Sequence, residues 1–275
     1  MSPSLPGSEF TALIHPHTGD VSEMQPTSRG NNSAVTALVD CEKGAFFVKA
    51  VPNRPGGRRD SLIREGLINP FVVPISPALR WQAEDSEWIA LGFEVIEGRR
   101  SDFTPGSADL PAIIDILNRI GELYLPEIAQ GWHETRWNRF ATEADAELFQ
   151  GQSLLYTDIN PDNLLIGQIS TWAVDWSWPT HGAAFIDPAC LVVQLIAAGH
   201  DAGPAETWAA ECAAWTNADR QAIDAFAAAN LRMYRRFADR NPDATWLQAM
   251  ATAAHEWAAY RDVPVDRDQV YDAPR

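Results

Sequence analysis

The stretch Leu154-Leu155-Tyr156-Thr157-Asp158-Ile159-Asn160-Pro161-Asp162-Asn163-Leu164-Leu165-Ile166, with Ala173-Val174-Asp175-Trp176-Ser177 shortly after it, decides how this chain is read. An apolar run ends in an acid, Asp158. A polar turn follows, and Asn163 stands five residues beyond that acid. A second apolar run leads to another isolated acid, Asp175. In this reading two short strands flank Gly167 and Gln168 as a hairpin and set Asp158, Asn163 and Asp175 around one mouth. Carboxylate, amide and carboxylate oxygens suit Mg2+ carrying a nucleotide phosphate better than they suit zinc or iron. Asp-x-Asn-Pro-Asp-Asn is also a sequence that favours turns. What favours chemistry is the conjunction of three polar residues at this spacing, two apolar strands and an upstream strand lysine.

An Asp followed by an Asn in the pattern D-x-x-x-x-N, and then by a strand-borne Asp, is the spacing of the protein-kinase catalytic loop and its metal-binding Asp. The stretch resembles the aminoglycoside phosphotransferase family, the small-molecule branch of the kinase-like fold, whose loop usually reads H-G-D-x-x-x-x-N. Tyr156-Thr157-Asp158 stands in place of His-Gly-Asp, so the base and metal positions match and the two preceding positions depart. Tyr156 brings a larger ring and a hydroxyl, and Thr157 removes backbone freedom beside the base. Neither change deletes a reacting group. Ile186-Asp187-Pro188-Ala189 resembles the family's Asp-Pro stretch, and Asp187 is read as a cap for the next helix in preference to an anchor for the loop.

The resemblance spans roughly residues 28–200. It implies an α+β, bilobal kinase-like fold: an antiparallel β-sheet lobe with one helix over residues 1–97, and a mostly helical catalytic and substrate lobe over 98–275. It further implies Asp158 as general base toward an acceptor hydroxyl, Asn163 and Asp175 as holders of Mg2+, and ATP as donor with GTP as the alternative.

Residues 1–8 are expected to be a loose tail, with a short strand near residues 11–14. Gly30, Asn31 and Asn32 lie between two extended segments and signal a hairpin. Its Ser28, Gly30 and Ser33 are candidates to lay backbone N–H groups over ATP phosphates, although G-x-G-x-x-G is missing and an ordinary hairpin is the plainer reading. No G-x-x-x-x-G-K-S/T occurs, which excludes a P-loop. Residues 45–51, Ala-Phe-Phe-Val-Lys-Ala-Val, read as a strand. Lys49 within it is either an edge-strand lysine reaching solvent or the lysine that meets nucleotide phosphates and a helix glutamate. Only Lys43 and Lys49 are lysines in this chain, while Arg supplies its other basic residues. Residues 58–69 read as a helix with an apolar stripe of Leu62, Ile63, Leu67 and Ile68. Glu65 on it is the candidate partner of Lys49, with a solvated helix-face glutamate as the alternative. Residues 71–73 and 78–81 read as strand material, and 88–95 as a strand. Residues 94–98 are taken as the hinge between lobes, where Glu94 and Ile96 would meet the adenine through their backbone.

Beyond the hinge, residues 110–125 form an amphipathic helix with Asp109 as N-cap and Pro111 in its first turn. His133-Glu134 lacks a second ligand at helical spacing, so packing or surface use is preferred to metal. Residues 142–149 read as a short acidic helix, and 191–198, 206–216, 219–239 and 244–260 as further helices. The three cysteines, Cys41, Cys190 and Cys212, are odd in number and set among apolar residues, which points to reduced thiols in a cytoplasmic protein. No run of about 18 uncharged apolar residues occurs, which argues against a membrane span, and the N-terminus does not read as a signal peptide. A net charge of -16 argues against nucleic-acid binding and is compatible with a cationic small molecule. The reading is therefore an ATP-dependent phosphotransferase acting on a small-molecule hydroxyl, with an aminoglycoside, another amino sugar or a polar natural product as the natural class. Glu206, Glu211 and Asp262 are candidates to line that acceptor. The alternative is a nucleotide-binding pseudokinase or interaction module without turnover, motivated by the Tyr156-Thr157 pair.

Overall fold

The computed structural model describes residues 7–27, 35–73 and 75–264. The chain forms two compact units, one of Met1–Arg99 with Leu165–Trp178 and one of Arg100–Leu164 with Pro179–Arg275.

The first unit opens with α1 (Ser8–Thr18), β1 (Val21–Pro26), β2 (Val35–Cys41), β3 (Gly44–Pro52), α2 (Gly57–Val72), β4 (Leu79–Glu84) and β5 (Trp88–Glu94). The five strands form one antiparallel sheet in the order β1-β2-β3-β5-β4. Successive strand residues point to opposite faces, and the packing follows that alternation. Val48 and Ala50 of β3 join Ala90 of β5 in a cluster with Phe10 and Ile14 of α1. Val51 of β3 instead packs with Ile89, Leu91 and Phe93 of β5 and Leu62 of α2. One face of the sheet therefore takes α1 and the other takes α2. Lys49 lies opposite Leu91 in register and so belongs to the α2 face. Gly92 is opposite Trp81, and a Cβ there would stand 2.0 Å from the indole, so the glycine leaves room for the ring.

Three expectations are corrected here. Residues 11–14 belong to α1, because Phe10 and Ile14, one helical turn apart, both bury against the sheet. Residues 71 and 72 end α2 instead of forming strand, since Val72 continues the buried line of Ile68. The buried stripe of α2 is Ser61, Leu62, Glu65, Ile68, Asn69 and Val72, while Leu67 is exposed. Ser28, Gly30 and Ser33 lie outside the described residues.

The chain leaves the first unit through β6 (Arg99–Arg100) and continues with α3 (Leu110–Gly121), α4 (Glu143–Glu147), β7 (Ser153–Leu155), β8 (Leu164–Ile166), β9 (Thr171–Ala173) and β10 (Thr180–Gly182). Five helices follow: α5 (Ile186–Ala197), α6 (Ala202–Ala209), α7 (Ala213–Thr216), α8 (Arg220–Arg240) and α9 (Thr245–Tyr260). β8 and β9 are neighbours, and their turn closes with Gly167 N–H donating to Ser170 O at 2.9 Å. In the second unit β7 pairs antiparallel with β10. Its core is built on Phe226 of α8, which meets the rings of Trp137, Phe149, Phe185 and Trp257 at centroid distances of 4.7–6.4 Å. Asp109 precedes α3 but does not cap it, because its carboxylate accepts the Asp102 N–H at 2.9 Å. The helix expected over 206–216 is broken into α6 and α7. Asn118 of α3 bridges the break, donating to Glu211 O and accepting from Ala213 N–H.

Candidate active site

The first unit gathers Lys49, Glu65 and Asp175. Strand register sends Lys49 toward α2, and the buried stripe of α2 presents Glu65 to it. Lys49 Nζ donates to Glu65 Oε1 at 2.7 Å and to Asp175 Oδ1 at 2.7 Å, although Asp175 lies 126 positions along the chain. Lys49 is 6% exposed and Glu65 4%. Asp175 follows β9 with a φ of +64°, in the left-handed region that few non-glycine residues enter. Its Oδ1 also accepts a hydrogen bond from Ser177 Oγ.

Two carboxylates share one ammonium, and their proton affinities separate accordingly. Burial alone would lower the pKa of the Lys49 ammonium, but Asp175 and Glu65 outweigh it and raise it above the ordinary value. Burial alone would raise Asp175, yet Lys49 and the Ser177 hydroxyl hold it below the usual range. Glu65 goes the other way: burial pushes it up to about 7, with Lys49 pulling down and Asp175 pushing up. Its Oε2 is buried without a hydrogen-bond partner. The bonds from Lys49 and Ser177 to Asp175 both fall on Oδ1, and Oδ2 is a hard oxygen of the type a divalent cation could take.

The second unit carries Asp158 and Asn163. β7 delivers a buried Leu154, Leu155 and Tyr156, and the exposed Asp158 follows. Asn160 Nδ2 donates to Asp158 Oδ1 at 3.0 Å, and Asn163 Nδ2 donates to Asp158 Oδ2 at 2.8 Å. Asn160 Oδ1 in turn accepts the N–H groups of Asp162 and Asn163, which locks the loop on itself. With its amide nitrogen engaged, Asn163 has a carbonyl oxygen of the type that could serve a hard cation. Asp162 is clamped by Arg100, with Nε to Oδ1 at 2.7 Å and Nη2 to Oδ2 at 3.0 Å.

Asp187 corrects the sequence reading. It sits in the first turn of α5 but anchors the loop, its Oδ2 accepting Tyr156 N–H at 3.0 Å and its Oδ1 accepting Thr157 N–H at 2.7 Å. Burial raises its carboxyl to about 6, against the lowering effect of those two N–H groups. Thr157 itself has a φ of +60°. Sequence reasoning missed Arg136, and Glu134 beside it packs, the use preferred for it over metal. Glu134 is 2% exposed and accepts from Thr180 Oγ1 at 2.7 Å, so it is a packed polar group. Arg136 Nη2 reaches Thr157 Oγ1 at 3.1 Å. The arginine-rich run of residues 136–139 is the signal that was open to reading.

Glu94 closes β5, and its carboxylate holds Ala78 N–H at 3.0 Å and pairs with Arg80. Ile96 lies in residues 95–98, which adopt no regular structure, and is half-buried. Glu206 does not present a free acid to an acceptor, because it accepts from Trp257 Nε1 at 2.7 Å and pairs with Arg261. Among the described residues no three His, Cys, Asp or Glu side chains form a metal cluster, and no helix is long and apolar enough to cross a membrane.

No protein-family model and no curated protein matches this sequence. Solved structures do. Choline kinase LicA from Streptococcus pneumoniae is similar at a TM-score of 0.63 and 11% identity, over 92% of this chain and 98% of that one. Macrolide 2'-phosphotransferase MphH from Brachybacterium faecium is similar at 0.54 and 16%, over 90% and 98%. Aminoglycoside phosphotransferase APH(3'')-Id from Streptomyces rimosus, solved with ADP and streptomycin, is similar at 0.53 and 15%, over 89% and 98%. At these identities the similarity is one of fold, and the fold of this chain is that of the kinase-like small-molecule phosphotransferases.

Proposed function

We propose that this chain transfers the γ-phosphoryl group of ATP to a hydroxyl of a small molecule. The observation that carries the reading is Lys49, a buried lysine bound at 2.7 Å both to Glu65 of the adjoining helix and to Asp175 from a distant part of the chain. A lysine held between a helix carboxylate and a metal-type Asp is the arrangement of kinase nucleotide sites. In the proposed roles Lys49 binds the nucleotide phosphates while Glu65 orients it, and residues 94–98, with Glu94 and Ile96, meet the adenine. Asp158, oriented by Asn160 and Asn163, takes the proton of the acceptor hydroxyl as that oxygen attacks the γ-phosphorus and ADP leaves. Asn163 and Asp175 would hold Mg2+, which offsets the charge on the phosphates. The AMP, ADP and GDP bound in solved neighbours support a nucleotide and keep GTP as an alternative donor. The choline and streptomycin chemistry of those neighbours supports small, cationic acceptors as first candidates.

The test is thermal unfolding with ATP or GTP, with and without Mg2+, on the parent, Asp175→Ala and Asp158→Asn. Ligand at a hundredfold excess over Kd stabilises the folded state by about 2.7 kcal/mol. The parent is expected to show a Mg2+-dependent shift that Asp175→Ala loses and Asp158→Asn keeps. Asp158→Asn is expected to lose transfer to choline or streptomycin by about a hundredfold or more. No shift with either nucleotide refutes the nucleotide site. A shift with no transfer to any hydroxyl acceptor favours the pseudokinase reading, and transfer by Asp158→Asn at the parental rate refutes the base.

A further inference from the structure

The backbone that presents Asp158 is strained. Asp158 N–H donates to Tyr156 O at 2.9 Å across Thr157, whose φ is +60°. A bond from residue i+2 back to residue i around a positive φ is a γ-turn of the rare, strained hand. A β-branched residue is an outlier there, because its side chain crowds the backbone. Such strain persists only where the surroundings over-determine it.

Two groups hold the turn, and they act on different atoms. Asp187 grips the N–H groups of Tyr156 and Thr157, which it would do whatever side chain stood at position 157. The Thr157 hydroxyl is gripped separately, by Arg136 Nη2 at 3.1 Å. Arg136 is itself seated. Its own N–H donates to Glu134 Oε1 at 2.7 Å, and its guanidinium stands 3.8 Å from Glu134 Oε2 and 5.0 Å over the Trp137 ring. Glu134 is buried and further fixed by Thr180 Oγ1.

We infer that Arg136 is a positioning residue for Asp158: seated on Glu134, it holds the Thr157 hydroxyl and so keeps the strained turn that aims the carboxylate. Arg136 and Thr157 form a compensating pair. A glycine would adopt this φ unaided, whereas threonine adopts it only with its hydroxyl held. The inference rests on Asp158 being the base of the proposed reaction.

The pair makes a ranking opposite to that of packing. Thr157→Val keeps the β-branch and its strain but gives up the hydroxyl. Thr157→Gly gives up both. Thr157 is 6% exposed, so side-chain packing alone ranks glycine as the more damaging change. The clamp ranks valine as the more damaging.

The experiment reads ADP release from ATP with Mg2+, water serving as probe acceptor, in the parent, Thr157→Val, Thr157→Gly, Arg136→Lys and the double variant Arg136→Lys with Thr157→Gly. Lysine keeps the charge beside Glu134 and loses the planar fork, which protects against simple unfolding. Thr157→Val and Arg136→Lys are each expected to lower kcat about tenfold with KM for ATP within about twofold, the mark of a group acting on the transition state alone. Thr157→Gly is expected to stay within about threefold of the parent and to make Arg136→Lys nearly silent. Urea unfolding of the same set gives a second cycle, in which Arg136→Lys lowers the midpoint only where Thr157 is present. Glycine more damaging than valine, or additive effects in both cycles, overturns the inference. If the parent releases no ADP, water does not serve as its acceptor, and the urea cycle alone decides the clamp: coupling supports it and additivity overturns it.

Discussion

Replacing Glu65 by glutamine sets the local charge balance against the usual expectation for a broken buried ion pair. Removing one partner of such a pair is generally destabilising by about 3–5 kcal/mol, because the other charge is left uncompensated. Here Lys49 has two carboxylates, and Asp175 remains when Glu65 is neutral. Burial is the largest influence on Glu65 and raises its carboxyl from 4.5 to about 7. A carboxyl that holds its proton more tightly when folded contributes stability at low pH. That contribution is lost as pH rises from the unfolded value of 4.5 through the folded value of about 7. At about 1.4 kcal/mol per tenfold change in proton affinity, the loss between pH 5 and pH 8 is on the order of 2–3 kcal/mol. Glutamine carries no charge at either pH and lacks that slope. The difference in unfolding free energy between Glu65→Gln and the parent is therefore expected to move toward the variant by about 2–3 kcal/mol from pH 5 to pH 8. Urea unfolding at both pH values measures it. The difference cancels the titration of Asp187, common to both proteins, and a fixed offset from the amide at the unpartnered Oε2 position drops out. A gap that stays constant, or that moves toward the parent at high pH, refutes the reasoning.

Other substitutions probe the same frame. Asp187→Asn turns an amide NH2 toward one of the two N–H groups the carboxylate now holds, so it is expected to cost about 1–3 kcal/mol in urea unfolding. Its pH dependence is a second readout: Asp187 is raised from 3.8 to about 6, chiefly by burial, so the parent loses stability relative to the variant across that interval as pH rises. Gly92→Ala places a methyl 2.0 Å from the Trp81 indole carbons and is expected to cost about 1–3 kcal/mol or more through overpacking, read as a lowered unfolding midpoint.

Local pattern and tertiary context divided the work of specifying this protein. The β3 strand was legible from its β-branched and aromatic run, and the β8–β9 hairpin from the apolar segments on either side of Gly167. The acids and amide at 158, 163 and 175 stood out because polar residues closing apolar runs mark the ends of strands. The long helices α8 and α9 followed from apolar recurrence at three- and four-residue steps. Where a signal was weak, period alone misled: residues 11–14 looked extended, yet Phe10 and Ile14 make a helical face once a sheet exists to receive them. Glu65 was visible as an acid at helix spacing, but its burial came from the side of α2 that met β3. Sequence favoured a cap over an anchor for Asp187, and wrongly, because both uses place an acid in the first turn of a helix. The choice was made by the N–H groups of Tyr156 and Thr157, which arrive from about thirty residues upstream. The same holds for the grip of Arg136 on Thr157. Spacing along the chain reports which groups lie on one element, whereas only packing brings a strained turn, a buried carboxylate and a guanidinium to hydrogen-bonding distance.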